Sequence, residues 1–273
     1  MKPHRALEVA GSTPMVSSAA PDASRQTSYK LLVVLPVFNE EANIAPLLER
    51  IDDDLKDGFV PYHVVAVDDG SSDRSSDILA EYSHKLPIDV HRHSVNQGLG
   101  ATLRDGLLHA SNIAGAKDII VTMDADETHT PGLILSMIRK IREGHDVVIA
   151  SRYQPGAKVV GLSTYRRCIS WLGSFLMRIV FPTQGVRDFT CGYRAYRAEV
   201  LKLAMTKYGA SFVDQDDFQC MVDVLLKLRR MRLVFGEVPL ILRYDLKKGS
   251  SKMRVVRTAK KTLRLMFLRR IGK

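Results

Sequence analysis

Residues 119–126 read Ile119-Ile120-Val121-Thr122-Met123-Asp124-Ala125-Asp126, an apolar run that ends in two carboxylates spaced i, i+2. The run has the length of a buried strand, and on an extended chain side chains two positions apart point to the same side. Asp124 and Asp126 therefore stand together at the carboxyl end of a strand. Two like charges in a partly buried place cost on the order of several kcal/mol unless a cation lies between them. A hard divalent ion, Mg²⁺ or Mn²⁺, suits carboxylate oxygens and keeps open positions for the oxygens of a diphosphate. Bound there, it would act as a Lewis acid on the leaving group. The competing reading is a capped turn ahead of the helix that Pro131 opens.

The same pattern extends outward in both directions. From Lys30 onward short apolar runs alternate with amphipathic stretches, so strands are expected over 31–36, 63–67, 88–91, 118–123 and 146–150, with helices over 41–54, 74–84, 99–112 and 133–143. Such an order means βαβ units and a largely parallel central sheet, an α/β fold whose ligands bind at the carboxyl edge of the strands. The first strand runs into Leu35-Pro36-Val37-Phe38-Asn39-Glu40, where proline is expected to stop the ladder and Asn39 could be an ordinary N-cap. The second runs into Val67-Asp68-Asp69-Gly70-Ser71-Ser72-Asp73. Its adjacent acids would suit the base N–H and ribose hydroxyls of a nucleotide, though the segment is equally a turn followed by a cap. The third loop, Asn96-Gln97-Gly98-Leu99-Gly100, carries glycines such as Gly98 that let the backbone approach a ligand. It is no dinucleotide fingerprint, because it follows the third strand and Leu103 stands where the last glycine belongs. A dehydrogenase is disfavoured, and so is a sugar nucleotidyltransferase, which would need a glycine-rich phosphate loop in place of Val37-Phe38-Asn39-Glu40.

After Ser151 the rhythm changes. A loop rich in Gly, Lys and Pro leads to a long apolar helix around 165–181, a turn-rich segment over 188–194, a helix over 217–230, a strand over 232–242 and a basic helix. We therefore expect a donor-binding half over 29–150, an acceptor half over 151–250 and a basic amphipathic helix over 251–273. Residues 1–28, rich in Ser, Ala and Pro, read as a disordered extension without the continuous apolar core of a signal peptide. No stretch reaches about 18 apolar residues, so a membrane span is not expected. Cys168, Cys191 and Cys220 have neither disulfide-framework nor zinc spacing, which points to a reducing, cytoplasmic setting.

The formal charge is +10, yet 252–273 holds nine basic residues and no acid; removing those nine leaves +1. The basicity is local, which argues against a general nucleic-acid surface. On a helical wheel Val255, Val256, Ala259, Leu263, Met266 and Phe267 oppose Arg254, Arg257, Lys260, Lys261 and Arg264. That is the profile of a helix lying on a membrane surface, the alternative being a helix packed on the core with a solvated basic face. Cys168, Leu172, Phe175 and Ile179, with Trp171 alongside, form a second apolar face, either lipid-facing or core.

In this order the motifs resemble the family 2 inverting glycosyltransferases of the GT-A fold, most closely their dolichyl- or polyprenyl-phosphate mannosyltransferase branch. Besides the three loops and Met123-Asp124-Ala125-Asp126 with His129 and Pro131, the carriers are Ser151-Arg152-Tyr153, Asp188-Phe189-Thr190-Cys191-Gly192-Tyr193-Arg194 and Gly249-Ser250-Ser251-Lys252-Met253. Each is common alone; seven in order over 31–253 are specific. The resemblance implies a Rossmann-like nucleotide-diphospho-sugar transferase fold with acceptor-side helices toward the C-terminus. It implies that Pro36, Phe38, Glu40 and one or both of Asp68 and Asp69 bind the nucleoside, and that Asp124 and Asp126 hold the metal. Arg152 would sit at the end of the fifth strand facing the same edge, where its guanidinium fork suits phosphate; Arg243 and Lys252 would add charge for an acceptor phosphate. The family often has Gln two residues after the second aspartate. Thr128 stands there, preceded by Glu127, which leaves a third protein ligand unassigned.

The expected activity is metal-dependent transfer, with inversion, of a hexose from a GDP- or UDP-sugar to a polyprenyl or dolichyl phosphate at the cytosolic membrane face, reached peripherally or through a membrane-protein partner. A phosphate monoester is already anionic at neutral pH and needs no protein base. The alternative is a soluble hydroxyl acceptor, with a base drawn from Asp214, Asp216 or Asp217 unless these cap the next helix. A non-catalytic nucleotide-sugar-binding protein is disfavoured, because the two aspartates and Arg152 are intact.

Overall fold

A computed structural model describes residues 29–246 and 255–271. The first half alternates β1 (Leu31–Val37), α1 (Ile44–Asp57), β2 (Tyr62–Asp68), α2 (Ser75–Tyr82), β3 (Ile88–Arg92), α3 (Leu99–Ile113), β4 (Ile119–Thr122), α4 (Leu133–Arg142) and β5 (Val147–Ser151). The second half holds β6 (Lys158–Val160), α5 (Thr164–Val180), β7 (Arg194–Arg197), α6 (Ala198–Tyr208), a 3-10 turn (Gly209–Val213), α7 (Gln219–Arg229), β8 (Phe235–Pro239), β9 (Ile241–Arg243) and α8 (Val255–Arg270). The expected GT-A-type α/β architecture is the one found.

Seven strands form one sheet in the order β3-β2-β1-β4-β7-β5-β8, and all are parallel except β7. Leu31 to Leu35, Val64 to Val67, Ile120, Val121 and Val147 to Ala150 have no exposed surface, as expected of strands covered on both faces. β1 runs through Pro36 to Val37, where the ladder had been expected to stop. Leu31 and Val37 bond toward β2, whereas Val34 accepts from Met123 on the β4 side. By the alternation of a parallel ladder Pro36 also faces the β4 side, beyond the last paired residue of β4, so its missing N–H costs no strand bond.

β7 is a strand the sequence pattern does not reveal. Its four residues Arg-Ala-Tyr-Arg contain no apolar run, yet they insert antiparallel between β4 and β5. Arg194, fully buried, makes this possible by donating to three carbonyls: Nε to Cys191 at 2.8 Å, Nη1 to Met221 at 2.7 Å and Nη2 to Phe189 at 2.9 Å. The single strand expected over 232–242 is divided. At Leu240, whose N–H donates to Ser151 and whose carbonyl accepts from Lys158, the chain passes from β8 in the main sheet to β9 beside β6.

α8 packs on α7 and α5 through buried Leu265 and Met266. The expected apolar face is thus corrected: Met266 turns inward, while Leu263 and Phe267 stay exposed. Lys261 donates to Asp217, and Arg269 clasps Asp223 at 2.6 and 2.9 Å. Among the described residues no helix is long and apolar enough to cross a membrane. Residues 1–28, 247–254 and with them Lys252 lie outside the described residues.

Replacing Arg194 with Met should leave three buried carbonyls without donors, a loss of about 3 kcal/mol or more. Differential scanning calorimetry should then show Tm lowered by roughly 6–12 °C for a chain of this length.

Candidate active site

The strand order turns back between β1 and β4, the switch point at which open α/β sheets bind ligands. Four loops meet this carboxyl edge, and their own side chains tie them together. Asn39, at φ 51°, is not a helix cap: its N–H donates to Ser71 Oγ at 2.9 Å and its Oδ1 accepts from Ser72 N–H at 2.8 Å. The Glu40 N–H donates to Ser75 Oγ at 2.7 Å. The first and second loops are therefore one unit, with Pro36, Phe38 and Glu40 half-buried on it.

Asp68 and Asp69 are 0% and 3% exposed, and their oxygens accept hydrogen bonds from the protein. Asp68 accepts from Ser71 N–H at 3.0 Å and from Ser76 Oγ. Asp69 accepts from Gln97 N–H at 2.8 Å, Gly98 N–H at 2.9 Å and His93 Nδ1 at 2.7 Å, while His93 Nε2 lies 3.1 Å from Asp105. In this way these acids shape the second and third loops. The glycines of the third loop admit backbone of the chain itself. A Cβ on Gly98 would lie 2.9 Å from the Asp216 carbonyl oxygen, and one on Gly100 only 1.8 Å from that of Gln215. Close packing thus brings 214–217 to the same edge.

Asp124 and Asp126 follow β4 and are half-exposed, the Asp124 side chain at 36%. His129, buried and stacked on Tyr193 at 4.8 Å, accepts the Asp124 N–H at 3.1 Å through Nδ1. Thr128 donates its hydroxyl to Asp126 Oδ1 at 2.6 Å, so it orients that carboxylate. Glu127, at φ 59°, turns away to Arg50 at 3.2 Å. Among the described residues no group of three His, Cys, Asp or Glu side chains could hold a metal. The donor set fits a hard cation that takes two carboxylates from the protein and its other oxygens from a ligand.

Arg152 leaves β5 toward this edge but is already engaged. Its Nε and Nη2 form a bidentate pair with Asp188 at 2.8 and 2.7 Å, Nη1 reaches Ser170 at 3.0 Å, and Nη2 also donates to Thr190. Four of its five donors are thus engaged inside the protein, where its fork holds the 188–191 turn. Asp188 is fully buried. Burial alone would raise its carboxyl, yet the Arg152 guanidinium outweighs that and holds it below the usual carboxylate range. Glu237 at β8 accepts the Arg187 and Asp188 N–H groups at 2.6 and 2.8 Å. Arg243 is brought to the metal loop by its backbone, whose N–H donates to the Thr128 carbonyl at 3.0 Å; its guanidinium lies on Asp245 at 2.7 Å. The acids of 214–217 do not cap α7 through side chains. Asp214 meets Lys227 at 3.1 Å and Asp217 meets Lys261, while Asp216 is exposed. The roles of His93, Asp188 and Glu237 depend on partners 24 to 50 residues away, a distance no local motif announces.

The profile described as Glycosyl transferase family 2 matches residues 32–203, from β1 into α6, and so contains the loops of Phe38, Asp69, Gly98, Asp124, Arg152 and Asp188 but not 214–217, Glu237 or Arg243. The chain belongs to this family. A dolichol-phosphate mannosyltransferase of Pyrococcus furiosus is 34% identical over 77% of this chain, which spans 55% of that relative's length. An undecaprenyl-phosphate mannosyltransferase of Micrococcus luteus is 30% identical, covering 82% of this chain and 87% of the relative. A polyprenol monophosphomannose synthase of Mycolicibacterium smegmatis is 29% identical, covering 80% and 79%. In fold, this family 2 member resembles the glucosyl-3-phosphoglycerate synthase of Mycobacterium tuberculosis, solved with Mn²⁺, uridine diphosphate and glucosyl-3-phosphoglycerate. The TM-score is 0.65 at 20% identity, over 90% of this chain and 81% of that one.

The Asp188 carboxyl, depressed in the folded state, contributes stability that is complete above the ordinary value of about 4 and is lost as pH falls through the lower folded value. Asp188→Asn leaves Arg152 unpaired and should cost about 3–5 kcal/mol at pH 7. Urea midpoints measured from pH 7 down to 3 should fall less steeply for the variant than for the natural protein.

Proposed function

We propose that this family 2 member transfers a hexose, with inversion, from a nucleotide diphosphate sugar to a polyprenyl phosphate. The observation that carries the reading is the half-exposed Asp124 and Asp126 pair at the switch point of the sheet. Such a pair leaves most of a cation's positions to diphosphate oxygens. Mg²⁺ or Mn²⁺ held there would neutralise charge developing on the leaving diphosphate. The names of three relatives favour mannose as the sugar and a lipid phosphate as acceptor, with GDP-mannose the donor to test first. The Mn²⁺ in the structural neighbour favours a divalent ion.

The chain's own part is positioning. Asp124 is steadied by His129, and Asp126 by Thr128. The loop of Phe38 and Glu40 lies across the switch point, where a nucleoside would rest, and Asp68 and Asp69 hold the neighbouring loops around it. The Arg152–Asp188 pair orders the 188–191 turn, and Gly192 in the next position brings the backbone against Asp124; a Cβ there would lie 3.6 Å from its Oδ1. Arg243, anchored beside Thr128, can exchange Asp245 for an acceptor phosphate. An acceptor phosphate, anionic at neutral pH, attacks without a protein base. A second reading, transfer to a soluble hydroxyl, is favoured by Asp216, an exposed carboxylate whose backbone packs on Gly98 and Gly100 and which has no side-chain partner among the described residues.

Purified protein should convert GDP-mannose and polyprenyl phosphate to a butanol-extractable mannolipid, with EDTA abolishing and Mn²⁺ or Mg²⁺ restoring turnover. Asp126→Asn should lower kcat on the order of a hundredfold, the scale of losing one stabiliser of developing charge. Product formed only with soluble sugars or other hydroxyl acceptors, and lost in Asp216→Asn, would replace the lipid reading by the second one.

A further inference from the structure

α5, α7 and α8 meet at their C-terminal ends around a pocket of about 80 Å³, lined by Phe181, Leu226, Arg229, Arg230, Arg269 and Arg270. Four guanidinium groups about one pocket repel one another unless countercharge is at hand. Two acids lie beside it, Asp223 and Asp214, and both are committed. Asp223 binds Arg269 at 2.6 and 2.9 Å and Lys227 at 2.5 Å; Asp214 lies 3.1 Å from Lys227. Two acids thus balance two bases. Arg229 gives Nε to the Pro182 carbonyl at 3.2 Å, and Arg230 and Arg270 are exposed without an acidic partner among the described residues. Three positive charges therefore line the pocket beyond what the protein neutralises. A tetrahedral anion with several oxygens would complete it, since guanidinium donors match phosphate geometry.

The surroundings say which kind of phosphate fits. α5 buries Ser174 and Met177 but exposes Tyr165, Trp171, Leu172, Phe175, Leu176 and Ile179, between 36% and 67%. It ends next to Phe181, in the pocket wall. α8 exposes Leu263, Phe267 and Ile271 at 53%, 66% and 53%, interleaved with exposed Lys260, Arg264 and Arg270. The two helices pack on each other, and their sequences hold nine basic residues and no acid. Large apolar groups alternating with uncompensated cations match a bilayer interface, where the groups enter the headgroup boundary and cations meet lipid phosphate.

We propose that this side of the molecule docks on a bilayer containing anionic lipid. A headgroup phosphate sits among Arg229, Arg230 and Arg270, while Trp171, Phe175 and Phe267 enter the interface. The preference for a lipid phosphate over a free one rests on the apolar flank and on the lipid-phosphate acceptor reading above.

Trp171 is the only tryptophan, so its emission reports directly on α5. The full chain should co-sediment with phosphatidylcholine vesicles containing phosphatidylglycerol, with a blue shift of Trp171 emission, and not with phosphatidylcholine alone. Arg230→Gln with Arg270→Gln should weaken partitioning about 30-fold, roughly fivefold for each cation near an anionic surface. Lys260→Gln with Arg264→Gln, removing the same charge outside the pocket, should weaken it less. Several results would overturn the proposal: equal binding to neutral vesicles, equal losses for the two double variants, stabilisation by inorganic phosphate without vesicle binding, or binding of nucleic acid with vesicles left unbound. Transfer to detergent-dispersed polyprenyl phosphate, assayed on the same proteins, should be unchanged in the Arg230 and Arg270 variant. Its absence from the natural protein would sink the transfer reading and leave the vesicle result standing.

Discussion

The buried Arg194 guanidinium is the constraint on which the rest of this structure depends. By filling three carbonyls at once it allows a four-residue strand to stand antiparallel inside an otherwise parallel sheet. That strand is the spacer between β4 and β5, and so between the loop of Asp124 and Asp126 and the loop of Arg152. Without a hydrogen-bonded charge at its head, the segment would expose its carbonyls to an apolar interior, a cost larger than the strand's own pairing returns. Strands from the later part of the chain are therefore stitched to the earlier ones in a single sheet.

Around that frame most buried charge has a structural task. Asp68 and Asp69 collect backbone N–H groups from their own and the neighbouring loop, and Asp188 with Arg152 fixes the turn beside Asp124. Carboxylates that accept several backbone donors are well suited to this, because each oxygen can organise more than one strand of a loop. The pair left half-exposed, Asp124 and Asp126, is held by a histidine and a threonine in the same loop. Preorganisation of this kind places the cost of bringing two carboxylates together on folding and not on ligand binding.

The opposite balance holds where α5, α7 and α8 meet. There the acids are fewer than the bases, and large apolar side chains remain outside. α8 is fastened by its ion pairs to Asp217 and Asp223, so its remaining cations are presented on a fixed surface and not on a loose tail.

The sequence by itself determined the α/β class, the strands from β1 to β5 within a few residues, the switch-point loops and the aspartate pair. Each of these follows from local pattern: apolar runs of strand length, helical periodicity, and polar residues where a run stops. Tertiary structure decided β7, whose residues carry no pattern, and the split at Leu240, where pairing changes sheet. It also decided which acids stay half-exposed at the sheet edge and which are buried in internal hydrogen bonds. Asp69 meets Gln97, Asp188 meets Arg152 and Gly100 meets Gln215 across 28, 36 and 115 residues of chain. A motif names the residue type and its place at the sheet edge, but a hydrogen bond is satisfied by whichever donor the fold brings within about 3 Å, and that is a property of packing, not of spacing along the chain.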